Sequence, residues 1–174
     1  MSNLASCQQF RWDEGTEELT ELLTPDVSKP WEGHHSESWL LWEDRATYEA
    51  KVREHVGDGA VVITLIYTEN MPCQVWNWTA GDNSCVNKII AFANFRQMPQ
   101  SAVVVAYRQP WPRIKLNGDP ALPGDAEYAG FLQANRDWLQ NMEDRRRIPQ
   151  NLTFMEFSEG LLQNLHLQRH YWRA

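Results

Sequence analysis

Few stretches of the chain combine reactive side chains, and the one that does so most densely is PCQVWNWTAGDNSC, residues 72–85. It holds two of the three cysteines, Cys73 and Cys85, around a Trp-Asn-Trp-Thr core and a Gly-Asp-Asn turn. Cys73 would be a nucleophile if a histidine stood beside it. Cys85, near an expected helix start, would lose its proton readily if exposed. Most cysteines, however, are small buried hydrophobes, and the simpler reading makes the pair the flanks of a strand exit and a helix start. The spacing of Cys7, Cys73 and Cys85 is not that of a structural zinc site. The reading therefore expects no metal and no cofactor.

Other polar clusters are local. GHHSES, residues 33–38, gathers His34, His35, a carboxylate and two hydroxyls, a supply of general acid and base near neutral pH. Neighbouring imidazoles diverge along an extended chain, so a polar loop is the plainer reading. His166 and His170 stand one helical turn apart, but HLQRH lacks the glutamate of the zinc-protease motif, and Arg169 lies between them. Arg145, Arg146 and Arg147 could clamp a phosphate, or simply offset the dipole at a helix C-terminus. Neither GxGxxG nor GxxxxGK[ST] occurs, and GxSxG, HExxH, an EF-hand loop and CxxC are also missing. Nucleotide triphosphate binding by the usual glycine-rich loops is not expected on that ground.

These residues need elements to hold them. Thr16–Leu23 (TEELTELL) reads as a short helix with acids in its first turn. A loop follows, then a short apolar strand, Trp39–Trp42. Residues 44–56 have helical spacing at Ala46, Tyr48, Val52 and Val56. Ala60–Tyr67 and Ser101–Tyr107 are runs of apolar, β-branched residues of the kind buried on both faces in parallel sheets. Between them, Asp82 or Asn83 is expected to cap a helix over 83–98. A long helix over 125–145, a strand over 152–157 and a last helix over 158–172 complete the alternation. A short strand is allowed at 113–116.

Strands alternating with helices predict a layered α/β fold with a central, mostly parallel sheet of about four strands; an α+β arrangement is the alternative. At 174 residues one domain is expected, burying roughly 70% of the unfolded surface. In it an acidic N-terminal segment (1–38, short helix and loop) packs on an α/β core (39–174). No secretory signal opens the sequence, and no apolar run reaches the ~20 residues of a membrane span. A cytoplasmic protein with reduced thiols is the expectation.

Residues 1–60 carry thirteen Asp and Glu against five Lys and Arg, and the chain as a whole has a net charge of −7. That balance disfavours direct nucleic-acid binding and suits a protein partner with a basic surface. Nine tryptophans are many for this length. Trp31, Trp39, Trp76, Trp78 and Trp111 are candidate interface anchors, with Glu17, Glu18 and Glu21 supplying the charge. Trp76 and Trp78 share one face in extended geometry, lining either the core or a binding surface.

The order strand, Asn-x-Pro, helix, strand, basic-aromatic loop in AVVITLIYTENMP…IIAFANF…SAVVVAYRQPWP resembles the uracil-DNA-glycosylase-like α/β superfamily. There an Asn/Gln-Pro motif follows the first core strand. Asn70 and Pro72 match it with Met71 inserted, and the resemblance covers roughly a third of the chain. It implies a nucleobase-directed enzyme. Two functional expectations result. The first is a non-enzymatic acidic, Trp-rich binder that inhibits another protein, in the manner of an immunity protein or a phage-type, mobile-element inhibitor. The alternative is a small α/β enzyme acting on a nucleobase- or nucleotide-like substrate above the strand ends, through Asn70, Asp82, His34, His35 and Arg108.

Overall fold

Two runs of valine, isoleucine and leucine set the centre of the protein. In the computed structural model, which describes residues 5–28, 41, 45–55, 59–73, 84–95, 101–110, 117–119 and 121–157, they form β3 (Val61–Asn70) and β4 (Ser101–Gln109). The two pair in parallel, from Val62 opposite Ser101 to Asn70 opposite Gln109. β5 (Leu152–Glu156) adds in parallel to β4. On the other side of β3 lie two antiparallel strands, β1 (Ala5–Asp13) and β2 (Glu18–Ser28), giving a five-stranded mixed sheet in the order β2-β1-β3-β4-β5.

The helix expected over Thr16–Leu23 is therefore a turn and a strand. Asp13 builds the turn: its Oδ1 accepts the N–H groups of Gly15 and Thr16 at 2.9 and 3.2 Å. These bonds, first Thr16 and then Gly15, hold its carboxyl below the usual carboxylate range. Arg11 pairs with the other oxygen at 3.0 Å. Glu17 takes the left-handed backbone (φ 58°) that turns the chain back. β2 is an edge strand whose register to β1 shifts twice, between Cys7 and Gln9 and between Gln9 and Phe10. Shifts of this kind twist an edge and discourage further strand pairing.

Among the described residues, α1 (Arg45–Glu54) leads into β3, α2 (Cys85–Phe95) crosses from β3 to β4, and α3 (Ala126–Asp144) crosses from β4 to β5. All three contribute to one core cluster: Tyr48 from α1, Val86, Ile89 and Phe92 from α2, and Met142 from α3 meet Ile66, Val103 and Val105 of the sheet. On the opposite face, Phe10, Trp12, Ile63, Leu65, Val104 and Ala106 form a second cluster, built among the described residues from strand side chains alone. Gln9 lies fully buried between β1 and the first cluster. Its Nε2 donates to Thr64 Oγ1 at 2.9 Å and to the Tyr48 carbonyl at 3.1 Å, tying β1, β3 and α1 together.

The sheet is thus mixed and has five strands, where four mostly parallel ones are expected from the sequence. The acidic N-terminal segment contributes two of them instead of packing on the core from outside. Leu41, the one described residue of the expected strand Trp39–Trp42, is helical and buried. The expected strand at 113–116 and the final helix at 158–172 lie outside the described residues. Among those described, no helix is long and apolar enough to cross a membrane.

Candidate active site at the carboxyl ends of the parallel strands

β3 ends at Asn70, and the next three residues deliver a thiol to the start of α2. The exit is fixed on both sides. Thr68 Oγ1, fully buried, donates to the Asn70 carbonyl at 2.6 Å, and the Met71 N–H donates to the Gln109 carbonyl at the end of β4 at 2.7 Å. Cys73 then receives two N–H groups from the first turn of α2. The Cys85 N–H donates to Cys73 Sγ at 3.0 Å, and the Val86 N–H donates to the Cys73 carbonyl at 3.2 Å. The first N–H groups of a helix lack intrahelical acceptors, and here two of them are satisfied by one cysteine. Negative charge on that sulfur is favoured at this end of the dipole.

The cap of α2 is Ser84, not Asp82 or Asn83: its Oγ accepts the Asn87 N–H at 3.2 Å and its carbonyl accepts the Lys88 N–H at 3.2 Å. Cys85 itself is buried and Cys73 half-buried, and neither is in a disulfide. The third cysteine, Cys7, belongs to the helix-side core. No group of three or more histidine, cysteine or acidic side chains able to hold a metal gathers among the described residues.

Beside the thiols, the ends of β3, β4 and β5 carry a polar and aromatic rim. Gln109 Nε2 donates to Glu69 Oε1 at 2.7 Å, and the Tyr67 hydroxyl donates to Glu69 Oε2 at 3.2 Å. Arg108, exposed on β4, sits beside the Tyr67 phenol. Burial, and then the Glu69 charge, raise the Tyr67 phenol above its ordinary range despite that guanidinium. The Phe157 ring, 44% exposed, meets Tyr67 edge-on at 5.2 Å between centroids. Next along the rim, Arg136 of α3 grips Glu156 through Nε and Nη2 at 2.7 and 2.9 Å. Under this pair, burial pushes the Tyr107 phenol up to about 12.

Of the residues proposed for an enzyme site, Asn70 and Arg108 fall at this edge, Asn70 buried and Arg108 exposed. Asp82, His34 and His35 lie outside the described residues. So do all five tryptophans proposed as anchors: Trp31, Trp39, Trp76, Trp78 and Trp111. The three acids proposed with them belong to the β1–β2 hairpin. Glu17 is in the turn, Glu18 opens β2 opposite Asp13, and Glu21 accepts from Gln8 Nε2 at 2.8 Å. The strand before Asn70-Met71-Pro72 is the third in chain order, whereas the glycosylase-like resemblance matches a first core strand. Cys73 and Cys85 flank a strand exit and a helix start, as the sequence suggests, but their contact could not be read from a spacing of twelve positions.

The fold and site together define a mixed α/β domain with two cysteines at a strand-to-helix junction. No protein-family model matches the chain, and no curated protein matches it either. Among the solved structures similar to it is a Rib2 deaminase of Aspergillus oryzae, a C-terminal deletion mutant crystallised at pH 4.6. The identity is 16%, the alignment covers 94% of this chain and 77% of that one, and the TM-score is 0.37. A likeness at that level transfers no activity or substrate. The acids on which the binder expectation depended are built into a sheet hairpin, so the expectation of a non-enzymatic inhibitor is corrected in favour of its enzyme alternative.

Proposed function

We propose that the protein is a zinc-dependent hydrolytic deaminase acting on an amine-bearing, nucleobase-like ring. The observation that carries this reading is the 3.0 Å contact from the Cys85 N–H to Cys73 Sγ. Zinc deaminases of bases use an H-x-E segment and a Pro-Cys…Cys segment, the His and the two Cys as ligands and the Glu as general acid and base. This chain has His35-Ser36-Glu37 ahead of α1 and Pro72-Cys73…Cys85 running into α2. The signature usually has two residues between its cysteines. Here they are twelve positions apart in sequence, yet in contact. Two soft thiolates and one imidazole are a donor set suited to zinc, and the backbone N–H of Cys85 lies on the sulfur of Cys73. This revises the expectation of no metal.

Cys73, Cys85 and His35 would hold the ion, and the chemistry it supplies when bound is a water made nucleophilic near neutral pH. Water adds to the ring carbon bearing the amine, the C–N bond breaks, and ammonia leaves as the carbonyl forms. The Glu37 carboxylate takes the proton from the attacking water and passes it to the departing nitrogen. Asn70 lines the strand end two residues before the Pro-Cys step.

The test is metal content together with ammonia release from pyrimidine and purine nucleosides and nucleotides. Purified protein is expected to hold one zinc per chain. Cys73→Ser, Cys85→Ser and His35→Ala are each expected to lose it, while Glu37→Gln keeps the zinc and loses turnover by at least about a thousandfold, within the range of positioned acid–base groups. A wild-type protein without zinc, or a Glu37→Gln variant with full turnover, would sink the reading.

A further inference from the structure

We infer that Cys73 and Cys85 are a thiol–disulfide exchange site: a low-molecular-weight disulfide oxidises them to a Cys73–Cys85 disulfide, and reduction reopens it. The inference rests on the zinc reading above for its consequence, since sulfurs bonded to one another are no longer the thiolates that a metal takes. The bond itself follows from geometry. The Cys85 N–H lies on Cys73 Sγ at 3.0 Å. With an N–Cα bond of about 1.46 Å, that sulfur stands at most about 4.5 Å from the Cys85 Cα. The Val86 N–H on the Cys73 carbonyl, at 3.2 Å, holds the two backbones side by side through a second contact. A disulfide joins residues whose Cα atoms are about 5.5–6 Å apart, through an S–S bond of about 2.0 Å. Rotation of the two side chains on this fixed backbone closes the bond, without moving the exit of β3 or the start of α2. Both residues are thiols in the structure.

Burial sets the order of events. Cys73 is half-buried, Cys85 is 1% exposed, and Cys7 is sealed in the helix-side core. An outside disulfide therefore meets Cys73 first, and Cys85 is the neighbour that resolves the product. The Cys73 thiolate attacks one sulfur of the small disulfide and expels the other as a thiolate, leaving a mixed disulfide on Cys73. Cys85, deprotonated in turn, attacks the Cys73 sulfur and expels the second small thiolate. The two expelled thiolates take up the two protons that the cysteines gave. The two electrons lost by the cysteines reduce the small disulfide to two thiols. A bond between positions 73 and 85 leaves α2 tethered to β3 and removes both sulfur ligands at once.

Thiol counting and disulfide mapping on the full chain test this. Reduced wild type, with and without a chelator, is incubated with oxidised glutathione. Remaining thiols are then titrated, and disulfides are located by peptide mass. With chelator present, wild type is expected to lose two of its three thiols. The bond should map to Cys73 and Cys85, and dithiothreitol should restore all three thiols. Cys85→Ser should stop at a glutathione adduct on Cys73, and Cys73→Ser should keep both of its thiols. Thermal melting confirms that the variants are folded, and the wild-type map stands without them. Three persisting thiols in wild type, a disulfide that includes Cys7, or a Cys85→Ser variant without the Cys73 adduct overturns the inference. Zinc content of the same samples reports separately on the metal. A chain that forms the disulfide but never held zinc counts against the deaminase reading only. A zinc-bearing chain whose thiols stay reduced after chelation counts against the exchange site only. Where zinc is bound and no chelator is added, its release is expected in step with thiol loss.

Discussion

At the scale of single residues, Cys73 shows how a common side chain becomes distinctive through its donors. One N–H reaches its sulfur and another its carbonyl, both from the first turn of α2. Neither bond can be anticipated from spacing, because the two cysteines stand twelve positions apart in the chain. Asp13 is the opposite case, since its role is set by three near neighbours in sequence. Hydrogen bonds to its ionised form hold its carboxyl below 3.8, so in the folded state it stays charged to lower pH than in the unfolded chain. A lowered folded pKa contributes stability above the unfolded value and loses it as pH falls through the folded one. Asp13→Asn is therefore expected to be less stable than wild type at pH 7, with the gap closing as the pH drops below about 3.8. Urea unfolding midpoints of both proteins across pH 7 to 3 check this, and a gap constant with pH would contradict it.

At the scale of elements, the parallel strands and the helices that cross between them were readable because their patterns are long and undiluted. β3 and β4 are almost uninterrupted apolar runs, and α3 keeps helical spacing over nineteen residues. β2 was misread for a physical reason. Its acids and leucines fit a helical turn as well as a strand, and only β1 alongside decides between them. β1 escaped notice because its burial alternates through polar residues, with Gln9 as buried as Cys7. The cap of α2 was assigned one or two residues early, since Asp, Asn and Ser are all good caps. Ser84→Ala is expected to cost about 1 kcal/mol in denaturant unfolding. The same turn presents the Cys85 N–H to Cys73, so under the proposed zinc reading that variant should also hold the metal more weakly. Competition with a chelator measures it, and unchanged zinc retention would separate the cap from the site.

For the whole molecule, the order β2-β1-β3-β4-β5 makes the N-terminal hairpin part of the sheet. Phe10 and Trp12 fill the strand-side core with Ile63 and Leu65, and Cys7 reaches the helix-side core. A chain that starts after residue 28 would expose the full edge of β3 and empty part of both clusters. Such a truncation is expected to be insoluble or to lack a cooperative melt, as monitored by circular dichroism. A cooperative melt close to that of the full chain would instead mean that the hairpin is an appendage. The net charge of −7 led the sequence reading toward a protein partner. Part of that charge in the first sixty residues is engaged locally: Asp13 by Arg11, Glu49 by Arg45 and Arg53, and Glu54 by Lys51, while Glu17, Glu18 and Glu21 are exposed on the hairpin.

The sequence by itself determined the α/β class, the two central strands, the helix leading into β3 and the two helices that cross between the parallel strands. Each is written in local periodicity or in the identity of neighbouring residues, and local sterics and burial suffice to express them. Only the tertiary structure decided that the acidic segment is a hairpin, that the sheet is mixed, and that Cys73 and Cys85 meet. Those outcomes depend on pairings between residues far apart in the chain, such as Ala5 with Thr68 and Cys73 with Cys85. Contacts of that kind form when the chain closes on itself, and no window of sequence contains them.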